Sequence, residues 1–268
     1  KLRGKSLTAS GTTVDAQGAH VNATDGAASV TSSEGPMNLS NAVVTSTEAL
    51  TLESEGEFTA NGAQLRGKTL TASGTTFDAQ GAHMTSTDGD TELTSRDMMN
   101  LSGAQVTANG ALTVDSAKAF MADNAHLQGK ESNLTGATMA LQGTSIRSTE
   151  GDVLVKAEEG GMQLLDAHLE AEGSTTLEAM GDLHLVNSDL VANQLLVTAQ
   201  GLDIQSGRLD IDGPLEMNAR GAMNLSRDSR LQSTESVLLK SGESLNVDNT
   251  DVFAPNVELT AQGGNLTL

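Results

Sequence analysis

Leu2-Arg-Gly-Lys-Ser-Leu-Thr-Ala-Ser-Gly-Thr-Thr-Val-Asp-Ala-Gln-Gly-Ala-His20 returns as Leu65-Arg-Gly-Lys-Thr-Leu-Thr-Ala-Ser-Gly-Thr-Thr-Phe-Asp-Ala-Gln-Gly-Ala-His83, changed only at Ser6 to Thr69 and Val14 to Phe77. Self-similarity at a fixed period marks a repeat architecture and outranks local propensity. The 63-residue block is itself divisible. An apolar residue among Gly, Ala, Ser, Asn and Thr recurs at Leu2, Val21, Val44, Leu65, Met84, Val106, Leu127, Ile146, Leu169, Leu190, Leu209, Leu231 and Val252. These steps of 19 to 23 residues sum in threes to 63 or 62, so the chain reads as about thirteen turns of ~21 residues with a three-turn super-repeat.

Within a turn, apolar residues alternate with polar ones, the period of strands and not of helices. Leu209 with Ile211, Leu215 with Met217, and Met223 with Leu225 give three short strands in one turn. Leu231, Val237 with Leu239, and Leu245 with Val247 give the next. Three strands per turn predict a three-sided parallel β-helix, with strands of successive turns ~4.8 Å apart and a single continuous solenoid over residues 1–268 roughly 60 Å long. Aliphatic side chains would stack on their equivalents one turn away, and stability would accumulate by nearest-neighbour contact. A helical reading of Leu164 to Gly173 fails because β-branched residues, Ser, Asn and Gly occur throughout, and because ~21 residues is short for a helical hairpin.

Punctuation agrees with the pattern. Gly181, Gly201, Gly221, Gly242 and Gly263 fall just before the third strand, where corners of positive φ are expected to need them. Pro36, Pro214 and Pro255 sit immediately before strand pairs, where a missing N–H costs least.

Composition narrows the function. Apolar residues make up 37% of the chain, and Phe58, Phe77, Phe120 and Phe253 are its only aromatics, so small aliphatics must fill the core. With no Cys, neither disulfide nor thiol chemistry is available. The net charge of −20 disfavours nucleic acid and anionic lipid. No apolar run reaches the length of a membrane-spanning helix, and no signal peptide opens the chain, which begins at Lys1 in mid-pattern. An interior segment of something longer is expected, with adjacent β-helix coils at both ends covering the open strand edges.

Gly181-Asp-Leu-His-Leu, Gly221-Ala-Met-Asn-Leu-Ser226 and Gly264-Asn-Leu-Thr-Leu268, set in a cysteine-free and aromatic-poor solenoid, resemble the haemagglutinin repeats of two-partner-secreted exoproteins. That family includes filamentous haemagglutinin and the contact-dependent growth inhibition effectors. The likeness extends over essentially the whole chain. It implies a right-handed parallel β-helix, passage through an outer-membrane two-partner transporter, folding outside, and an extracellular or cell-surface location on a Gram-negative bacterium. The amino-terminal transport domain, Arg-Gly-Asp and the Val-Glu-Asn-Asn boundary are missing, which points to the repeat region. A stalk projecting a receptor-binding or toxin-bearing region is the expected function. The alternatives are an adhesin that binds a target-cell receptor on one face, and a polysaccharide-degrading β-helix enzyme, which the lack of aromatic platforms disfavours.

No catalytic, cofactor-binding or metal residues are assigned, and no binding residues are identified. Gly62-Ala-Gln-Leu-Arg-Gly67-Lys68-Thr69 matches the P-loop pattern, but Leu70 onward continues as strand and not helix, which argues against nucleotide. His20, His83, His126 and His168 share one register, two or three turns apart with Val43, Gln64, Gln105 and Ser145 between them, so they read as solvated rather than metal-binding. Asp203, Asp210, Asp212, Asp88 with Asp90, and Glu158 with Glu159 read as solvated carboxylates. Asn-x-Ser/Thr sites begin at Asn22, Asn38, Asn100, Asn133, Asn224 and Asn265. Met37, Met217 and Met223 are expected inside the stack. The 22- and 23-residue steps are expected to protrude as bulges along one side.

Overall fold

The computed structural model describes residues 1–268, built of short strands joined by turns and bends, with no helix. The chain divides into two compact units, Lys1–Leu134 and Thr135–Leu268. About thirteen turns are present at ~21-residue spacing, most contributing a first, second and third strand, while Leu112–Met121 and Ser132–Gln142 each run the second and third together.

In unit 1 the second turn shows the plan: a first strand His20–Ala23, a second Ala28–Ser32 and a third Met37–Asn38. Each strand pairs in parallel with its counterpart in neighbouring turns. Along the first strands Leu2 meets Val21, Val21 meets Val44, Val44 meets Leu65, Leu65 meets Met84, Met84 meets Val106 and Val106 meets Leu127. From Val21 to Leu127 these side chains are buried. In the third strands the inner column runs Met37, Phe58, Phe77, Met99, Phe120, all buried, with the Phe58 and Phe77 rings stacked at 4.6 Å. Three of the four phenylalanines therefore sit inside one column of one unit.

Unit 2 repeats the plan with longer strands. The ninth turn of the chain comprises His168–Ala171, Ser174–Ala179 and Leu183–Val186. Ile146, Leu169, Leu190, Leu209, Leu231 and Val252 form its first-strand column in consecutive register. Its third-strand column runs Met139, Met162, Leu183, Leu202, Met223, Leu245 and is aliphatic throughout. Met37, Met217 and Met223 are buried, as expected of unbranched side chains filling gaps in a stack. Leu164 to Gly173 lies in two strands, Met162–Leu165 and His168–Ala171.

The bend from third to first strand is nearly invariant. Seven residues separate Val14 from Val21, Met37 from Val44, Phe58 from Leu65, and likewise onward; only Met223 to Leu231 takes eight. This bend holds the left-handed residues: Gly18, Asn41, Gly62, Gly81, Gly103 and Asn124 in unit 1, and Gly143, Asp166, Asn187, Ser206, Arg227, Asp228 and Asn249 in unit 2. The eight-residue arc carries two of them in succession, Arg227 at φ 59° and Asp228 at φ 61°.

That corrects the expectation for Gly181, Gly201, Gly221, Gly242 and Gly263, none of which has positive φ. They are small for another reason. A Cβ on Gly181 would lie 2.8 Å from the backbone of Gly160 and Gly161, and one on Gly263 2.7 Å from the Gly242 carbonyl. At Gly181 and Gly263 successive backbones approach too closely for a side chain, and at Gly201 the Asp182 carboxylate would lie 2.7 Å away.

Turn length varies instead at the other two bends. From first to second inward position unit 1 counts five, seven and six residues, then five, seven and six again: Leu2 to Leu7, Val21 to Ala28, Val44 to Leu50, Leu65 to Leu70, Met84 to Thr91 and Val106 to Leu112. The second-to-third bend varies in step, with seven, nine and eight residues and then seven, eight and eight, and the super-repeat is the two alternations together. The longer bends are not free loops: Thr24 N–H donates to the Gly4 carbonyl at 2.8 Å and Asp25 N–H to that of Lys5 at 3.0 Å. Thr87 and Asp88 repeat the arrangement against Gly67 and Lys68. In Leu209 to Leu231 the added residue lies at Arg227–Asp228, on the third-to-first bend.

Candidate functional site

A parallel sheet turns alternate side chains inward, so the outward residues are the only ones available to a ligand. On the first strands of unit 1 the outward register runs His20, Val43, Gln64, His83, Gln105 and His126. The predicted spacing of the histidines holds there, with no two on adjacent strands. His168 stands next to Ser145 in unit 2. Its Nε2 lies 4.0 Å from Glu170, which Arg147 engages at 3.3 Å.

The P-loop-like segment folds as the strand Gln64–Gly67, a two-residue bend and the strand Leu70–Gly74. Lys68, in the position a P-loop lysine would hold, reaches Glu48 at 3.6 Å and Asp88 at 3.7 Å. No helix N-terminus faces it, so the backbone amides that would cradle phosphate are committed to strand pairing.

The carboxylates do not converge on a reacting centre. Asp203, on a third strand, accepts the Asn224 side-chain amide at 2.8 Å on one oxygen and the Gln205 amide at 2.6 Å on the other. Asn224 in turn accepts from Asn246 at 2.8 Å, and His184 Nδ1 stands 3.7 Å from Asp203. This amide ladder borders a shallow groove of about 450 Å³ whose lining includes Asp182, His184, Asp203, Asn224 and Glu243. With one amide donor on each oxygen, Asp203 serves as the ladder's terminus. Asp210 sits in the first strand Arg208–Ile211, and Asp212 lies just beyond it. Asp88 and Asp90 lie in the bend between first and second strands, where Asp90 accepts the Ala111 amide at 2.8 Å. Glu158 and Glu159 occupy a bend hydrogen-bonded to Gly136 and Ala137.

Among the Asn-x-Ser/Thr sites, Asn38 and Asn100 accept the amides of Ser40 and Ser102, both at 3.0 Å, while Asn133 and Asn265 are exposed. Sequence reasoning missed the corner serines. Ser32, Ser46, Ser54, Ser86, Ser95 and Ser116 are buried. Ser46 illustrates their role, its Oγ within reach of the carbonyls of Gly26 at 2.8 Å and Ala49 at 3.0 Å. A Ser two residues past each inward apolar residue was the available signal.

A second concavity of about 430 Å³ lies on the outward face of the first strands of unit 1, lined by Val43, Thr45, Gln64, Arg66, His83 and Thr85. It holds a guanidinium, an imidazole, an amide and two hydroxyls, a set suited to hydrogen bonding rather than to covalent chemistry.

No family model matches the chain, and no solved structure matches it. The chain is similar to the toxin CdiA of Yersinia pestis, with 26% identity over 214 residues that cover 75% of this chain. It spans 6% of that protein's length. A parallel β-solenoid together with this likeness fits a repeat region of the kind the sequence resembles, within a much longer relative.

Proposed function

We propose that the chain is a structural segment of a secreted or cell-surface exoprotein of a Gram-negative bacterium: an acidic stalk that holds a receptor-binding or toxin-bearing region away from the cell and carries no catalytic centre. One observation supports this reading above the others. Within each unit, strands pair with their counterparts one turn before and one turn after, in unbroken register. Contacts so local let each turn fold on the one before it, and folding outside opposes return through an outer-membrane two-partner transporter. The likeness to the toxin CdiA supports the setting.

The test is a pair of in-phase deletions in the longer exoprotein. Removing Leu2–Gln64 joins Lys1 to Leu65, and removing Leu127–Asp189 joins His126 to Leu190; each excises 63 residues, three turns. A spacer predicts that both variants are secreted and that the activity of the projected region falls by the same amount in each. A loss confined to one deletion would replace the stalk with a local binding site.

A further inference from the structure

The chain has 35 Asp and Glu against 15 Lys and Arg, yet one face of unit 1 carries no carboxylate. From Arg3 to Gln128, each outward position on the seven first strands is basic, imidazole, amide, hydroxyl or, at Val43, aliphatic. The matching face of unit 2 includes Glu170, Asp189, Asp210 and Asp251.

A second observation concerns how unit 1 uses its cations. Away from this face they are paired: Lys5 with Asp25 at 3.9 Å, Lys68 with Glu48 and Asp88, Arg96 with Glu55 at 2.7 Å, and Lys118 with Asp97 at 2.9 Å. Arg3 and Arg66, on the face, have no carboxylate within ion-pair reach. Along its first-to-second bend Asp25, Glu48 and Asp88 are bridged by Lys5 and Lys68, and Asp90 accepts the Ala111 amide. On the opposite border Asp78 is held by the amides of Asn61 and Gln80, both at 3.0 Å. The strip itself carries no carboxylate, and its guanidiniums are left free.

Shape limits the occupant. First strands of four residues at ~3.3 Å each, stacked ~4.8 Å apart over seven turns, make a strip of about 13 by 29 Å. That is about half the ~800 Å² per partner that a stable protein–protein interface buries, so a globular partner or a second copy fits poorly. A narrow strip fits a linear polymer. Guanidiniums pair bidentately with carboxylates, and amides and threonine hydroxyls both donate to and accept from sugar hydroxyls.

We propose that this face of unit 1 binds a linear, carboxylate-bearing polysaccharide, with Arg3 and Arg66 on its carboxylates and Gln64, Gln105 and Thr85 on its hydroxyls. The proposal is independent of the stalk reading, since a spacer can also bind along its length. Isothermal calorimetry of the full chain with polygalacturonate at low ionic strength tests it, with dextran as the neutral polymer. Saturable binding of polygalacturonate and none of dextran is expected. Arg3→Glu with Arg66→Glu lowers affinity by about tenfold or more, and Arg66→Gln by a few-fold. Lys118→Glu with Lys156→Glu, which adds the same negative charge off the face, changes it by less than about twofold. Circular dichroism verifies that each variant keeps its strand content. The proposal is overturned by equal losses in the two double variants, by dextran binding as tightly, by single-stranded DNA of matched charge binding more tightly, or by no saturable binding of polygalacturonate.

Discussion

In unit 1 the bend from third to first strand is a hydrogen-bonded turn, whereas in unit 2 it is a kink in an otherwise extended chain. Unit 1 has third strands of two residues, such as Phe77–Asp78, after which the Ala82 amide closes on the Ala79 carbonyl at 3.1 Å around left-handed Gly81. Ala42 on Leu39, Ala63 on Ala60 and Ala104 on Leu101 repeat that closure. Gly or Asn at the third position of such a turn supplies the positive φ. Unit 2 extends its third strands to four residues, as in Leu183–Val186, and bends at Asp166, Asn187 or Ser206. There the buried Ser188 hydroxyl takes over part of the closure, accepting the Ala167 amide at 3.0 Å. Both versions span seven residues. Arc length is set by pairing with the next turn, and the local hydrogen bonds are free to differ.

The cores differ in the same way, and the largest effect tests that. Phe77→Ala removes one of two stacked, buried rings and should cost about 3–5 kcal/mol in denaturant unfolding. Leu202→Ala, at the equivalent place in unit 2, should cost about 2–4 kcal/mol. Equal losses would mean that the aromatic column adds nothing beyond its volume.

Corner chemistry comes next in size. Gly81 has open space around its Cβ position, so Gly81→Ala isolates the left-handed backbone cost, about 1–2 kcal/mol. Asn187→Gly, in a bend that already tolerates a side chain, should be neutral or slightly stabilising. A neutral Gly81→Ala would show that unit 1 bends can adopt the unit 2 geometry.

Two threonines at the same inward position should respond with opposite signs. Thr91 donates to Ser86 Oγ at 2.9 Å, so Thr91→Val loses a buried hydrogen bond at about 1 kcal/mol. Thr175 has no partner for its buried hydroxyl, because Ala171 stands where Ser86 stands in the other unit. Thr175→Val should gain about 1 kcal/mol. The same sign for both would contradict the assignment of partners.

The smallest effect is electrostatic. Hydrogen bonding to Arg96, and then its charge, hold the Glu55 carboxyl below its ordinary value. Stability from this pair is present above the carboxylate's unfolded pKa and lost as pH falls through its lowered folded value. Arg96→Ala should raise the Glu55 titration midpoint toward the ordinary range in an NMR pH series. An unmoved midpoint would reject the pairing. The fully exposed setting makes its weight in stability slight.

The inward columns were legible because each carries an apolar residue at nearly constant phase, and Leu127, Ile146 and Leu169 fell where the period put them. The role of the glycines was not. A Gly in sequence does not distinguish a left-handed bend from a close approach of backbones, and in unit 2 the left-handed positions after Gly143 are filled by Asp, Asn, Ser and Arg, which hide the bend. The acid-free strip escaped notice because Arg3 and Arg66 acquire meaning only when strand parity turns them to the same side as Gln64 and Gln105, and the paired Lys5 and Lys68 away from it. The Thr175 orphan needed knowledge of which residue faces it across the bend.

A bend of fixed arc beside two of adjustable arc gives the chain one seam along which every winding re-enters in phase. Whole windings can be duplicated or excised without resetting the ones that follow, and length can be added at the other two corners without disturbing the seam. The near-identical Leu2–His20 and Leu65–His83 are windings of this interchangeable kind.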